Sequence, residues 1–331
     1  MRGTATAPPV VGPIPSSETA AMSPTAPTPA PSQPTGTEGP GAKLPEPRGL
    51  IVVNKPQGIT SRKALNIVEQ RLDVGALGHC GSLDPLATGV LVLVVGKARK
   101  VQDLVVRGEK VYDMTVRLGA TSDTDDAEGR VVPTEGATPP TRAAIEAALL
   151  PFRGEIEQVP PTYSAVKVEG KRMHREARKG RPVEAPPRPV VMHELRLDRY
   201  EWPELDLHLR CGAGTYARAL ARDLGKSLGT GGYMSRLVRT RVGSLELAGA
   251  APPEEVTLAH LQGIEIALRD YPRINVPLQH RSRLLRGQAL RTPANFPTTE
   301  EPCFAWVEGE VVASVAFVEG GTHYRTKKLL V

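Results

Sequence analysis

Over residues 78–89 the chain reads Gly-His-Cys-Gly-Ser-Leu-Asp-Pro-Leu-Ala-Thr-Gly, and an unbroken run of Val and Leu over 90–95 follows at once. The string sets one carboxylate, Asp84, between glycines that let the backbone bend and a strand that a sheet would bury on both faces. A lone Asp-Pro is ordinary turn chemistry, but an acid held against a buried strand is costly unless something pairs with it. A carboxylate in that position can act as nucleophile or as base, and either role needs it ionised. A guanidinium is the natural partner, since it favours the charged form and cannot lose its proton.

The elements that must hold such a loop can be read around it. A strand at 50–53 leads through Asn54-Lys55-Pro56-Gln57-Gly58 into a helix over 61–72, with Ala64, Leu65, Ile67 and Val68 on its apolar face. The run from Thr88 continues the loop as a second strand. Residues 111–118 alternate and predict a half-exposed strand, and Thr141 can cap a short helix over 141–150. Strands at 190–200 and 204–211 precede a helix over 215–228, a strand over 238–247 and a helix over 257–268. Strands dominate with helices laid over them, so the expected fold class is α+β around a mixed, largely antiparallel sheet.

Three regions are expected. Residues 1–47 are rich in Pro, Ala, Thr and Ser, lack core-forming side chains and predict a disordered tail. Residues 48–272 form the main domain, and 273–331, with β-like runs at 303–307 and 311–317, a small β module. Of the 331 residues, 40% are apolar and 24% charged, which is ordinary for a globular protein. The net charge is +6; the tail carries −1, so +7 resides on the remainder, a balance that suits a polyanionic partner. Cys80, Cys211 and Cys303 are isolated, which argues against a disulfide framework or a zinc site and for a reducing cytoplasm. No apolar run is long enough to span a membrane. The acidic stretch 122–129 departs from the EF-hand pattern, with Ala127 and Glu128 at required positions, so no metal and no cofactor are expected.

The string at 78–89 closely resembles the catalytic motif of the TruB family of tRNA pseudouridine synthases. Further matches follow in order: Asn54-Lys55-Pro56-Gln57-Gly58-Ile59-Thr60-Ser61, Lys110-Val111-Tyr112, Pro160-Pro161-Thr162-Tyr163-Ser164-Ala165-Val166-Lys167, Gly214-Thr215-Tyr216-Ala217-Arg218 and Leu237-Val238-Arg239-Thr240. The resemblance covers residues 49–331 and implies the pseudouridine synthase type of sheet, with an RNA-binding-like C-terminal module. It implies isomerisation of uridine at position 55 in the T-loop of tRNA, with base flipping and without a cofactor. Asp84 is then the catalytic carboxylate, kept at low pKa by Arg218. Tyr112 stacks on the target base, and Tyr216 and Leu237 line the pocket. His79 and Lys55 are placed with the RNA-contacting residues. The basic segment Lys167, Lys171, Arg172, Arg175, Arg178, Lys179 and Arg181 is the candidate grip on the T-stem backbone.

The expected partner is the T-arm stem-loop; no membrane or protein partner is implied, and a monomer is expected. Cys80, Ser82, Ala213, Tyr233 and Val238 depart from the family pattern and bear on RNA affinity more than on reaction type. A noncatalytic RNA-binding or tRNA-folding protein on the same scaffold is the alternative. An Asp-dependent hydrolase lacks the phosphate loop and metal cluster it would need, and the family's RNA-guided relatives would carry a more elaborate C-terminal domain.

Overall fold

The computed structural model describes residues 47–330, without 165–166, 169, 178, 180, 182, 184, 295 and 297–300. The tail and Arg178 of the basic segment therefore lie outside the described residues. The strands are β1 (Gly49–Lys55), β2 (Leu77–His79), β3 (Thr88–Val95), β4 (Lys110–Leu118), β5 (Ala120–Ser122), β6 (Val131–Pro133), β7 (Gly154–Gln158), β8 (Lys167–Val168) and β9 (Lys171–Arg172). After them come β10 (Arg188–Glu201), β11 (Glu204–Cys211), β12 (Gly232–Val242), β13 (Leu245–Glu246), β14 (Arg273–Asn275), β15 (Leu290–Arg291), β16 (Cys303–Val307), β17 (Glu310–Val318) and β18 (His323–Leu329). The α-helices are α1 (Ser61–Leu72), α2 (Gln102–Arg107), α3 (Arg142–Leu149), α4 (Met173–Ala177), α5 (Ala217–Ser227), α6 (Glu265–Leu268) and α7 (Arg281–Leu285).

The main sheet runs β1-β3-β12-β4-β11-β10-β7, with β2 added on β3 and β13 on β12. It is mixed and largely antiparallel: among the described strands of this sheet, only β3 and β12 run parallel, Val238 opposite Thr88 and Arg239 opposite Gly89. The fold is α+β, as its sequence pattern implied. Strand β3 is apolar from Val90 onward because both its faces are covered. Leu91, Leu93 and Val95 join the core built with Ala64, Leu65 and Val68 of α1 and Leu220 and Leu224 of α5. Val90, Val92 and Val94 join a second core with Ala98, Val105, Val242 and Leu245. Strand β11 has one covered face, so it alternates, with Leu205, Leu207, Leu209 and Cys211 buried and the residues between them partly exposed.

Thr60 caps α1 and Thr141 caps α3 through their side chains, at the ends their sequences predict. Two expected elements differ. The strand expected over 238–247 starts earlier, at Gly232, and stops at Val242; a turn at Gly243, with φ +54°, returns the chain as β13. The helix expected over 257–268 is a single 3-10 turn, Leu258–His260, followed by the four-residue α6. The backbone between them is taken by β1, since Gln262 and Leu50 exchange two hydrogen bonds of 2.8 Å. A tertiary partner for the peptide groups thus overrides the helical pattern.

Residues from Arg273 onward build a separate five-stranded sheet, β14-β16-β17-β18-β15. It packs on the chain before and within α2: Val101 and Leu104 meet Phe304, Trp306 and Val311, and Lys100 Nζ donates to the Leu329 carbonyl at 2.8 Å. No helix among the described residues is long and apolar enough to cross a membrane.

The parallel contact leaves no room for a side chain at Gly89. Its φ is +97°, and a Cβ there would stand 2.2 Å from the carbonyl oxygen of Arg239. Gly89→Ala should therefore separate β3 from β12 and lower stability by about 3 kcal/mol. Urea unfolding of the variant against wild type checks this.

Candidate active site

The loop that carries Asp84 is held by four separate groups. Ser61, buried at the start of α1, both donates to the Leu83 carbonyl at 3.1 Å and accepts the Leu83 N–H at 2.8 Å. Lys55, at the end of β1, donates to the carbonyls of Pro56 and Ile59 at 2.8 Å and of Pro85 at 3.4 Å. The Gly58 N–H donates to the same Pro85 carbonyl at 2.8 Å. Arg239, on β12, donates through Nε to the Val90 carbonyl at 2.7 Å and through its two Nη atoms to Ser82 and Gly81 at 3.4 and 3.2 Å. The backbone on both sides of the carboxylate is thereby fixed before any substrate arrives.

Arg218 lies in the first turn of α5 and is 6% exposed. Its guanidinium forks onto Asp84, with Nε to Oδ2 at 2.9 Å and Nη2 to Oδ1 at 3.2 Å. The remaining donors reach the carbonyls of Thr124 and Tyr163, both at 3.0 Å, and Asp126 Oδ2 at 3.4 Å. The two-pronged contact fixes the plane of the carboxylate as well as its position. Asp126 is itself set by the Thr124 hydroxyl at 2.6 Å and the Glu128 N–H at 3.0 Å. Arg222, one turn along α5, reaches Asp125 at 3.0 Å. The acidic turn is therefore the counter-charge for the arginines of α5. Among the described residues, no group of three or more His, Cys, Asp or Glu side chains could hold a metal ion.

Asp84 opens into a cavity of about 410 Å³ lined by Tyr112, Tyr163, Tyr216, Leu237, Lys110, Arg218 and Arg239 among others, within the size range of small-ligand sites. Gln158 sets Tyr216 by accepting its N–H at 2.8 Å and donating to its carbonyl at 3.0 Å. The structure thus gathers Asp84, Arg218, Tyr112, Tyr216 and Leu237 around one space. Arg239, Lys110, Ser61 and Gln158 belong with them. Three of these four stood in quoted motifs, but as isolated letters a buried Arg or Ser carries no sign of its partners.

The electrostatics correct one expectation. The Asp84 carboxyl is held above its ordinary value: burial is the largest cause, Asp126 adds to it, and Arg218 and Lys55 oppose it. The side chain keeps 40% of its surface open to the cavity, but a concave site leaves the carboxylate few waters. Arg218 limits the rise rather than producing a low value. Burial also lowers Lys55 to about 8, against the pull of Asp84 and Glu128, and raises Tyr112 and Tyr216.

Lys55 is likewise corrected. It is fully buried, with its ammonium turned to three carbonyls, so it positions the Asp84 loop and cannot grip a phosphate. His79 lies half-buried on β2, outside the cavity lining, with Nδ1 unpartnered; burial, then Arg62 and Arg239, push its pKa down. Of the basic segment, Lys179 and Arg181 are exposed and Lys179 pairs with Glu176 at 3.0 Å. The side chains of Lys167, Lys171, Arg172 and Arg175 lie outside what the structure describes. Among the departures, Tyr233 and Cys80 are buried, and burial pushes the Cys80 thiol up to about 12, where it is inert.

Solved structures share this fold. The chain superposes on a chain of "Crystal Structure of a Cbf5-Nop10-Gar1 Complex" with a TM-score of 0.66 over 86% of this chain and 85% of that one, at 21% identity. A chain of "Structure of H/ACA RNP bound to a substrate RNA containing 2'-deoxyuridine" gives 0.64 over similar shares, 86% and 85%, at 20% identity. The family model "TruB family pseudouridylate synthase (N terminal domain)" matches residues 69–217, and "tRNA pseudouridylate synthase B C-terminal domain" matches 218–273. Proteins named tRNA pseudouridine synthase B are 42% identical in Bradyrhizobium diazoefficiens, over 80% of this chain and 81% of that protein. In Ruegeria sp. the figures are 39% over 83% and 94%. The chain belongs to the TruB family of pseudouridine synthases and is an isomerase.

Where turnover requires an ionised Asp84, as proposed below, the rate should fall as pH drops through a value above the ordinary 3.8 of an aspartate. Asp126 raises that value, so Asp126→Asn should move the acid limb to lower pH, as single-turnover rates across a pH series would record.

Proposed function

We propose that this enzyme converts uridine to pseudouridine in the T-loop of tRNA, at position 55, and that Asp84 is the carboxylate that acts on the sugar. The observation that carries the reading is the forked Asp84–Arg218 pair at the wall of a cavity flanked by Tyr112 and Leu237. The relatives' name, tRNA pseudouridine synthase B, supports tRNA as substrate.

The reaction breaks the bond from N1 to C1′, turns the base and joins C5 to C1′. The hydrogen on C5 leaves as a proton and N1 gains one, so the isomerisation balances with no outside reagent. Asp84 faces the space the sugar would occupy, and its lone pairs are oriented by Arg218. A uridine stacked in a folded loop hides its glycosidic bond, so the nucleotide must be flipped out. The aromatic and apolar walls then replace the stacking it loses. Stem and loop are recognised by shape, phosphate and 2′-hydroxyl. Lys179 and Arg181, with the rest of the 167–181 segment, are the proposed phosphate contacts, His79 a contact to the displaced nucleotide, and the module after Arg273 a further RNA surface. A purely tRNA-folding role would not require the buried fork on Asp84.

Asp84→Asn should abolish conversion of an unmodified tRNA transcript while leaving RNA affinity within a few fold. The fold should not suffer. The carboxyl binds its proton more tightly folded than unfolded, so above that raised pKa the ionised group costs stability, and asparagine removes the cost. Thermal melting at neutral pH should show no loss. Arg218→Lys should lose most activity, because an ammonium cannot fork.

An isolated T-arm hairpin should be converted, and an unrelated hairpin or a DNA copy should not. Affinity should fall steeply with salt, since the chain outside its tail carries +7. Equal product from all three nucleic acids would contradict T-loop recognition.

A further inference from the structure

Most cations around the site have a carboxylate partner. Arg218 meets Asp84 and Asp126, Arg222 meets Asp125 and Asp223, and Arg210 and Arg241 meet Glu109 at 2.8 Å. Lys55, which lies outside the cavity lining, does not, and neither do Arg239 and Lys110. They are 2% and 7% exposed, both line the Asp84 cavity, and among the described residues neither has a carboxylate within 4 Å. Arg239 donates to the carbonyls of Val90, Ser82 and Gly81, and Lys110 to those of Val106 and Gly108. They stand on adjacent strands, with Arg239 opposite Tyr112 and Lys110 opposite Val242. Arg239 also meets the Tyr112 side chain, but two buried cations side by side without a carboxylate are expensive to maintain, and such an arrangement in a cleft marks a place where negative charge is to be received.

We propose that Arg239 and Lys110 form a cationic wall that stabilises the negative charge on the base once its bond to the sugar breaks. The inference rests on the reaction described under Proposed function. When the N1–C1′ bond opens, its electron pair leaves with the base, and the resulting uracil anion spreads the charge over N1, O2 and O4. The anion persists until the C5 electron pair forms the new bond to C1′, the C5 proton is lost and N1 is protonated. Fixed cations in a site with little water stabilise such a charge far better than solvent does, because they need no reorganisation as it develops. A backbone phosphate is the other anion a bound RNA brings. It stays at the cavity mouth in solvent, beyond side chains as buried as these, whereas the flipped base lies among the residues of the wall. Arg239 also ties the Asp84 loop by its carbonyls, so one guanidinium links the carboxylate at the sugar to the charge on the leaving base.

Leaving-group dependence separates this role from a merely structural one. Fluorine at C5 withdraws electrons and stabilises the uracil anion by itself, so a substrate hairpin with 5-fluorouridine at the target needs the wall less. Lys110→Gln keeps a donor for the Val106 and Gly108 carbonyls and removes the charge. Arg239→Lys keeps the charge and removes the fork. Single-turnover rates of N1–C1′ cleavage at saturating enzyme are to be compared for the uridine and 5-fluorouridine hairpins. Lys110→Gln should slow the uridine substrate about a hundredfold and the fluorinated one by less than about tenfold. Arg239→Lys should show nearly equal losses on the two, because its charge remains. Equal losses in Lys110→Gln, or losses confined to RNA affinity with chemistry intact, would overturn the proposal. A wild type that converts no RNA would overturn the functional reading as well.

Discussion

Everything at this site is arranged around one guanidinium removed from water. Arg218 cannot lose its charge, is almost wholly buried, and is satisfied only if Asp84, Asp126 and two carbonyls converge on it. Those partners come from the loop before β3, the acidic turn after β5 and the segment after β7, so helix α5 and three distant stretches must dock together for the charge to be tolerated. The geometry of the Asp84–Arg218 pair and the cost of burial are therefore the same constraint. A fold that failed to bring these stretches together would leave a buried arginine without its partners.

The carboxylate in turn is kept above its ordinary pKa. A carboxylate stabilised further by its arginine would be a feeble nucleophile and a weak base. Here the second acid, Asp126, shares the guanidinium and leaves Asp84 less fully satisfied. Holding the loop falls instead to Lys55, Ser61 and Arg239, whose hydrogen bonds to Asp84's backbone neighbours leave the carboxylate oxygens alone. Position and reactivity are set by different groups.

The second sheet meets the first on the segment that contains α2, with Val101 and Leu104 against Phe304 and Trp306. The same helix ends at carbonyls that accept from Lys110. The C-terminal module and the cavity wall thus share one short helix, which gives the module a structural link to the site beyond any contact with RNA.

The sequence alone determined the elements whose pattern is local. Helix α1 and strand β3 begin and end where capping, periodicity and an unbroken apolar run require. Asp84, Tyr112, Tyr216, Arg218 and Leu237 were legible as a set because six motifs in order resemble one family. What only the tertiary structure decided is where the polar atoms point. Lys55 and Arg239 look like surface cations in one dimension, and both are buried because carbonyls around the Asp84 loop, of Pro85 for one and of Val90, Ser82 and Gly81 for the other, need donors. The pattern at 257–268 suggested a helix, but β1 claims the peptide groups of Gln262. The balance that lifts the pKa of Asp84 depends on water excluded by the cavity and on Asp126, 42 residues away in sequence. Local pattern specifies which face is apolar; desolvation and hydrogen-bond partners exist only once the strands have met.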